Sequence, residues 1–380
     1  MNICILTPRY YPNTPGGGAR SCHLIAKELQ KRVNVEVISF DAEETHSSEI
    51  EGVPVQRIKP DSSEKTLLNL QSYNHLKKQL SKYDLIHTYN MDLMPSLGLL
   101  TRRFGVPSVA TLNGTIYTRI NEWYYKWVKN PFDLRHSIFS VSLLSRNAIH
   151  KEIVKNIQRF TALCQFRKET FIHEGFSGDK ISVITNILDT GREITAGEQK
   201  GGTVGLVYLG TDRWRKGLDI LLEAYRRLDK QDVKLTLAGV GDQGKYQRRV
   251  EEMGITNEVQ VHGWLPYEET SSLLRGSDVL IFPLRFPEPV GRVLIEGMQQ
   301  GLCVIATGTD EYSPIIEDGK NGAMVYPSTP ENYAKKIQFL LDDPDQLQRL
   351  KNSAKKRVED VCKPKKIAGQ YLALYEETIS

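Results

Sequence analysis

Short runs of β-branched and aliphatic residues alternate with amphipathic segments from the first residues onward. Asn2–Thr7, Val33–Phe40, Leu85–Thr88, Ser108–Leu112 and Ile181–Ile184 are apolar over most of their length, the pattern of strands buried on both faces of a parallel sheet. Between them, Ser21–Lys31 and Leu67–Lys82 set apolar residues three and four apart, which predicts crossover helices. The rhythm stops at Asn186–Thr203, a polar stretch containing glycines, and then restarts. Strands are predicted at Val204–Leu209, Lys234–Ala238, Val259–His262, Val279–Phe282 and Cys303–Ala306, with helices near Gly217–Leu228, Gly291–Gln300 and Glu331–Leu341. Two Rossmann-like, doubly wound α/β domains in series follow, over residues 1–187 and 188–363. Residues 364–380 are expected to form a helix that packs back on the N-terminal domain.

Length agrees with this division: 380 residues exceed one comfortable core, and two domains imply a cleft between them. With 40% hydrophobic and 25% charged residues, the composition is globular and leaves no room for a large disordered region. Cys4, Cys22, Cys164, Cys303 and Cys362 are scattered, without the paired spacing of a metal or redox site, and suit a reducing cytoplasm. The start, MNICILTP, enters a strand without a basic leader, and no apolar run approaches the ~20 residues that span a bilayer. Any membrane association is therefore expected to be peripheral. The net charge of +4 divides into +6 over residues 1–190 and −2 over 191–380. That excess is too dispersed for a nucleic-acid footprint but suits an anionic surface.

Chemistry enters where strands end. Gly16, Gly17 and Gly18 lie between the first strand and its helix, where backbone N–H groups can approach a phosphate closely. The spacing is not the GxGxxG of a dinucleotide site, and a flexible turn is the alternative reading. In the second domain, FPEPVGRVLIEGMQQG places Glu288 in a loop after a strand and Glu296 inside the helix that starts near Gly291. The N–H groups of Gly291, Arg292 and Val293 would favour a diphosphate, and a carboxylate further along can accept hydrogen bonds from ribose hydroxyls.

This layout resembles the retaining glycosyltransferases of family 4, which have the GT-B fold of two Rossmann-like domains facing a cleft. The most specific element is the pair Glu288 and Glu296, an E-x7-E arrangement, followed by GLCVIATGTDEYSPIIEDGKNGAMV. The resemblance implies that Glu288 contacts the donor sugar and Glu296 the ribose. In VYLGTDRWRKGLDILLEAYRRL, Lys216 and Gly217 match the family's diphosphate site, whereas its arginine position is Thr211, so that Arg213 or Arg215 must substitute. The family often has a histidine before glycine where this chain has Asn113-Gly114. Asparagine can bond a sugar hydroxyl but cannot become a cation.

Asn186 and Asp189 resemble the family's hinge strand end and are assigned positioning. His262-Gly263-Trp264 follows a strand where the family holds the nucleobase, so the resemblance implies a backbone contact from Gly263 to the base, while Trp264 is open between base contact and packing. None of the eight histidines, His87 included, has metal-site spacing, and each is read as structural or solvated. Trp123, Tyr124, Tyr125 and Trp127 interleave with Arg119, Lys126 and Lys129. That mixture suits a bilayer interface, or else a helix packed on its own domain.

The resemblance implies retaining transfer of a sugar from a UDP- or GDP-linked donor to a glycan, lipid-linked or destined for cell-surface polysaccharide. The catalytic group is Glu288, Asn113 and Lys216; donor contacts add Gly16, Gly17, Arg213, Gly263, Gly291, Arg292, Val293 and Glu296. No metal or other cofactor is expected, nor a nucleic-acid partner, and the location is cytoplasmic, at most peripheral on an anionic membrane. The rivals are a GT-B epimerase, which would need an acid/base where Asn113 stands, a GT-B hydrolase, and a silent sugar-nucleotide binder, which would be expected to lose the glutamate pair.

Overall fold

The computed structural model describes residues 1–13, 16–114, 116–117, 148–190, 202–229, 232–285 and 288–380. The chain divides into two units, Met1–Ile187 with Pro364–Ser380, and Leu188–Lys363. The aromatic and basic stretch Trp123–Lys129 lies outside the described residues, as does most of the polar stretch after Asp189.

In the N-terminal unit, β1 (Asn2–Thr7), β2 (Asn34–Ser39), β3 (His46–Ile50), β4 (Val53–Arg57), β5 (Leu85–Thr88), β6 (Ser108–Leu112), β7 (Arg159–Ala162) and β8 (Ile181–Val183) form one sheet. Its order is β3-β4-β2-β1-β5-β6-β7-β8. Alternation along β1 explains its continuous apolar run, because Cys4 and Leu6 enter the core on one face and Ile3 and Ile5 the core on the other. Helix α1 (Gly17–Gln30) covers the second face, and α2 (Lys65–Lys77) with α3 (Met94–Phe104) covers the first; α4 (Gln165–His173) follows β7. One departure from an all-parallel sheet is β3, antiparallel to β4. Glu51 and Gly52 between them both have positive φ, the geometry of a two-residue type I′ hairpin turn.

In the C-terminal unit, β9 (Val204–Leu209), β10 (Val233–Ala238), β11 (Val259–Val261), β12 (Val279–Phe282), β13 (Cys303–Thr307) and β14 (Ala323–Val325) pair in parallel in the order β11-β10-β9-β12-β13-β14. Helices α5 (Leu218–Arg226), α6 (Gln243–Glu252), α7 (Tyr267–Arg275), α8 (Arg292–Gln299), α9 (Pro330–Asp342) and α10 (Pro344–Val361) are the connections and the final pair. The chain winds outward from β9 in one direction and from β12 in the other, so the strand order reverses between these two neighbours. Open α/β sheets bind ligands at such a point, beyond the carboxyl ends of the strands.

The last helix, α11 (Pro364–Ile379), belongs to the N-terminal unit. Its Tyr375 hydroxyl meets His87 Nδ1 at 2.7 Å, while His87 Nε2 meets Thr111 Oγ1 at 2.8 Å and Thr111 Oγ1 meets Thr161 Oγ1 at 2.9 Å. A buried polar chain thus joins β5, β6 and β7 to α11, and His87 is structural. Burial pushes the His87 imidazole down to about 3. The folded state therefore holds it neutral where the unfolded chain binds a proton, and its contribution is fully present above about pH 6.5 and lost as pH falls toward 3. Urea denaturation of wild type between pH 7 and 4 is expected to lose up to ~1.4 kcal/mol per pH unit from this group. His87→Gln should be less stable at pH 7 but fall less steeply with acid. Equal slopes would remove His87 as the cause.

Candidate active site

The loop after β9 and the loop after β12 meet at the point where the strand order reverses. Lys216 Nζ donates to Glu288 Oε2 at 2.6 Å, and Arg215 Nη1 lies 2.7 Å from Glu288 Oε1. The Glu288 side chain is 13% exposed, so these charge-assisted contacts are poorly screened. Lys216 also sits 5.1 Å above the ring of buried Phe282, the last residue of β12, where the ring face attracts a cation. Of the two candidate arginines, Arg215 is the one brought onto Glu288, while Arg213 is exposed at the start of the 3₁₀ turn Trp214–Lys216.

Gly217 sets this turn. Its φ is +64°, and a Cβ built there would lie 1.8 Å from the Pro283 carbonyl oxygen. The loop can press against the end of β12 only because no side chain intervenes. Arg285 N also donates to the Arg215 carbonyl at 2.9 Å, which fixes the two loops together.

Gly291 is the N-cap of α8, with Arg292 and Val293 opening the helix. Glu296 lies one turn further, and its Oε1 is 2.9 Å from Arg292 Nε, with the Arg292 side chain 4% exposed. The second glutamate is therefore held by a buried guanidinium on its own helix. Gly263 follows β11, and its carbonyl accepts from Gly239 N at 2.9 Å. Trp264 is 62% exposed, which corrects the packing alternative for that residue. Asp189 lies in this unit, its carbonyl accepting from buried Gln299 Nε2 at 2.6 Å.

In the N-terminal unit, Gly16 caps α1 with φ 142°, Gly17 begins the helix, and a Cβ at Gly16 or Gly18 would meet nothing within 4 Å. The preceding turn is pinned from below, with Tyr10 N donating to Asp41 at 2.7 Å and Arg57 bridging Asp41 and the Tyr11 carbonyl at 2.8 and 2.7 Å. Asn113, after β6, donates its side-chain amide to the Tyr89 carbonyl at 2.6 Å. Tyr89 in turn reaches Asn186 at 3.4 Å.

Residues 15–192 match the family described as Glycosyltransferase Family 4, and residues 193–357 match that described as Glycosyl transferases group 1. The chain belongs to these glycosyltransferases. Uncharacterized glycosyltransferase MJ1607 of Methanocaldococcus jannaschii is 25% identical over 99% of the chain and 98% of its own length. The lipopolysaccharide core biosynthesis glycosyltransferase LpsE of Rhizobium meliloti is 30% identical over 43% of the chain and 48% of its own. The crystal structure of Anabaena Alr3699/HepE in complex with UDP-glucose has the same fold, with a TM-score of 0.73 at 18% identity over 99% of this chain and 100% of that one. The fold is GT-B.

Sequence reading of the glycosyltransferase missed Arg285, which is one charge in a loop until the fold is known. Its guanidinium grips both carboxylate oxygens of Asp219, donates to the Trp214 carbonyl at 3.0 Å and lies 5.3 Å from the Trp214 ring. Burial works to raise the Asp219 carboxyl, but the hydrogen bonds and charge of Arg285 outweigh it and hold the group below the ordinary carboxylate range. Arg285 thus latches the loop carrying Arg215 and Lys216 to the loop carrying Glu288. Arg285→Met is expected to lower turnover by about tenfold, and Arg285→Lys to restore little, since one ammonium cannot reproduce the two-oxygen fork. Steady-state kinetics of the two variants check this, and full activity in Arg285→Lys would show that charge alone suffices.

Proposed function

We propose that this glycosyltransferase moves a hexose, with retention, from a UDP- or GDP-linked donor to a glycan acceptor that is lipid-linked or a precursor of surface polysaccharide. The observation that carries the reading is the convergence of Arg215 and Lys216 on Glu288 where the strand order reverses. Two cations on one anchored turn suit a diphosphate, whose charge grows as the glycosidic bond breaks. In this reading Lys216 and Arg215 hold the diphosphate, with the N–H groups of Gly291, Arg292 and Val293 beside them. Glu288 accepts from sugar hydroxyls and Glu296 from the ribose. Gly263 meets the base, Gly16 and Gly17 are amide donors to a phosphate, and Asn113 bonds a sugar hydroxyl.

The bond from the anomeric carbon to the diphosphate breaks while the bond to the acceptor oxygen forms on the same face. The acceptor proton passes to the departing diphosphate, so the protein orients groups and stabilises charge. The cations already supplied by Arg215 and Lys216 support a reaction that requires no metal. HepE in complex with UDP-glucose supports a nucleotide-sugar donor, and LpsE, named for lipopolysaccharide core synthesis, supports a lipid-linked acceptor. Among the described residues, no helix is long and apolar enough to cross a membrane. Action at the cytoplasmic face through peripheral contact agrees with the basic first half of the sequence. Co-sedimentation with anionic vesicles at low and high salt tests that contact, and no binding at low salt removes it.

The donor assignment is tested by incubating the enzyme with UDP- and GDP-sugars and following release of nucleoside diphosphate. Release from neither class would overturn it. Glu296→Ala is expected to weaken donor binding by on the order of 1–3 kcal/mol, read by calorimetric titration of the accepted nucleotide sugar. Unchanged affinity would take Glu296 out of the site.

A further inference from the structure

Both oxygens of the Glu288 carboxylate are engaged, each by a different cation: Oε1 by Arg215 at 2.7 Å and Oε2 by Lys216 at 2.6 Å. The three side chains are largely withdrawn from solvent, with exposures of 28% for Arg215, 16% for Lys216 and 13% for Glu288. Glu288 thus occupies, toward these two cations, the position that the proposed function gives to a diphosphate. A carboxylate with little water around it needs partners, and leaving it with fewer is costly.

We propose that Glu288 competes with the diphosphate for Arg215 and Lys216, and that the donor sugar relieves this competition. The site then holds a nucleoside diphosphate sugar in preference to the nucleoside diphosphate left after transfer. This inference rests on the reading of Arg215 and Lys216 as the diphosphate cations.

The argument follows the partners available to the carboxylate. While the sugar is attached, its hydroxyls donate to Glu288 and compensate for what the cations give up to the phosphates. Once the sugar has left with the acceptor, those donors are gone, and Glu288 is left to the cations that meet it among the described residues, Arg215 and Lys216. Once the diphosphate releases the acceptor proton to solvent, it also carries one more negative charge than it did in the donor, so repulsion from a carboxylate within a few ångströms is greater in the product complex. Both effects weaken the product more than the donor. Sharing does not remove the conflict. Lysine and arginine have donors enough for two anions, but two positive charges must then serve the carboxylate and the whole charge of the diphosphate.

The test is the ratio of two affinities. Wild type and Glu288→Gln are titrated calorimetrically with UDP, GDP, the accepted nucleotide sugar and inorganic pyrophosphate. Glu288→Gln keeps the shape and removes the charge. It is expected to bind the matching nucleoside diphosphate and pyrophosphate about tenfold tighter, equivalent to ~1.4 kcal/mol. It should bind the nucleotide sugar no tighter than wild type, and product inhibition should strengthen by the same factor as the gain in nucleoside diphosphate affinity. An equal change for donor and product, or weaker binding of the nucleoside diphosphate, overturns the competition while the assignment of the site stands. Wild type that binds none of these phosphates removes the site assignment and this inference together. Should Glu288→Gln fail to fold, Glu288→Asp, which draws the carboxylate back by one methylene, is expected to move the ratio in the same direction by less, and an unchanged ratio there overturns the proposal.

Discussion

Replacing Lys216 by methionine is expected to lower turnover by about 10²–10³-fold, the usual cost of removing one preorganised group that meets developing charge. Methionine keeps most of the length and the contact with Phe282, so the loss is chiefly that of the ammonium. In the ground state Lys216 shares Glu288 with Arg215, and breaking one arm of that partly buried arrangement costs stability as well. In the proposed reaction the two effects separate because growing charge on the leaving diphosphate appears only in the transition state, so kcat should fall much more than the donor KM rises. Lys216→Arg should recover part of the rate by keeping the charge. The measurement is steady-state kinetics with the accepted nucleotide sugar, alongside thermal unfolding of each variant. A Lys216→Met enzyme that keeps at least half of wild-type kcat would mean that the diphosphate is held elsewhere.

Most strands of both sheets could be read from the sequence because burial on two faces removes the need for polar alternation. Asn2–Thr7 and Val279–Phe282 are strands over the residues where the pattern places them. Several of the elements that escaped have weaker apolar signatures. β7, Arg159–Ala162, is four residues long and two of them are Arg159 and Thr161; it is a strand because its neighbours β6 and β8 pair with it. β3, HSSEI, has no apolar rhythm and exists as an edge strand by virtue of the Glu51-Gly52 turn. In α6 only Tyr246 and Val250 are buried, so its sequence, QGKYQRRVEE, carries a stripe too narrow to stand out against a charged loop.

The site was legible as residue types but not as contacts. Lys216 and Glu288 are 72 positions apart, and they meet because β9 and β12 are neighbours in the sheet. Strand order is a property of the whole unit that no local spacing encodes. The choice between Arg213 and Arg215 was open for a related reason, since both flank Trp214 and only the direction of a three-residue turn decides which faces the carboxylate. That direction is imposed by Gly217 and by Arg285, whose backbone N–H and guanidinium hold the turn from the opposite loop.

Gly217→Ala is for that reason expected to be the most damaging single-methyl change in the C-terminal unit. Two penalties add. An alanine at φ +64° is in the left-handed region, which costs about 1–2 kcal/mol. Its Cβ would lie 1.8 Å from the Pro283 carbonyl oxygen, a backbone atom that cannot turn aside, so the turn must lift away from the end of β12. Lifting it withdraws Arg215 and Lys216 from Glu288 and loosens the Arg285 hydrogen bond to Arg215. Gly301 provides the control, because its φ is +82° but a Cβ there meets nothing within 4 Å. Gly301→Ala should show the left-handed penalty alone, lower the melting temperature modestly and leave kinetics close to wild type. Gly217→Ala should melt lower still and, when assayed well below its transition, lose at least about 10²-fold in turnover, since a displacement of ~1 Å in catalytic groups is worth that much. Equal melting temperatures and equal kcat for the two variants would show that the turn tolerates the methyl, and that contact with β12 does not set the position of Lys216.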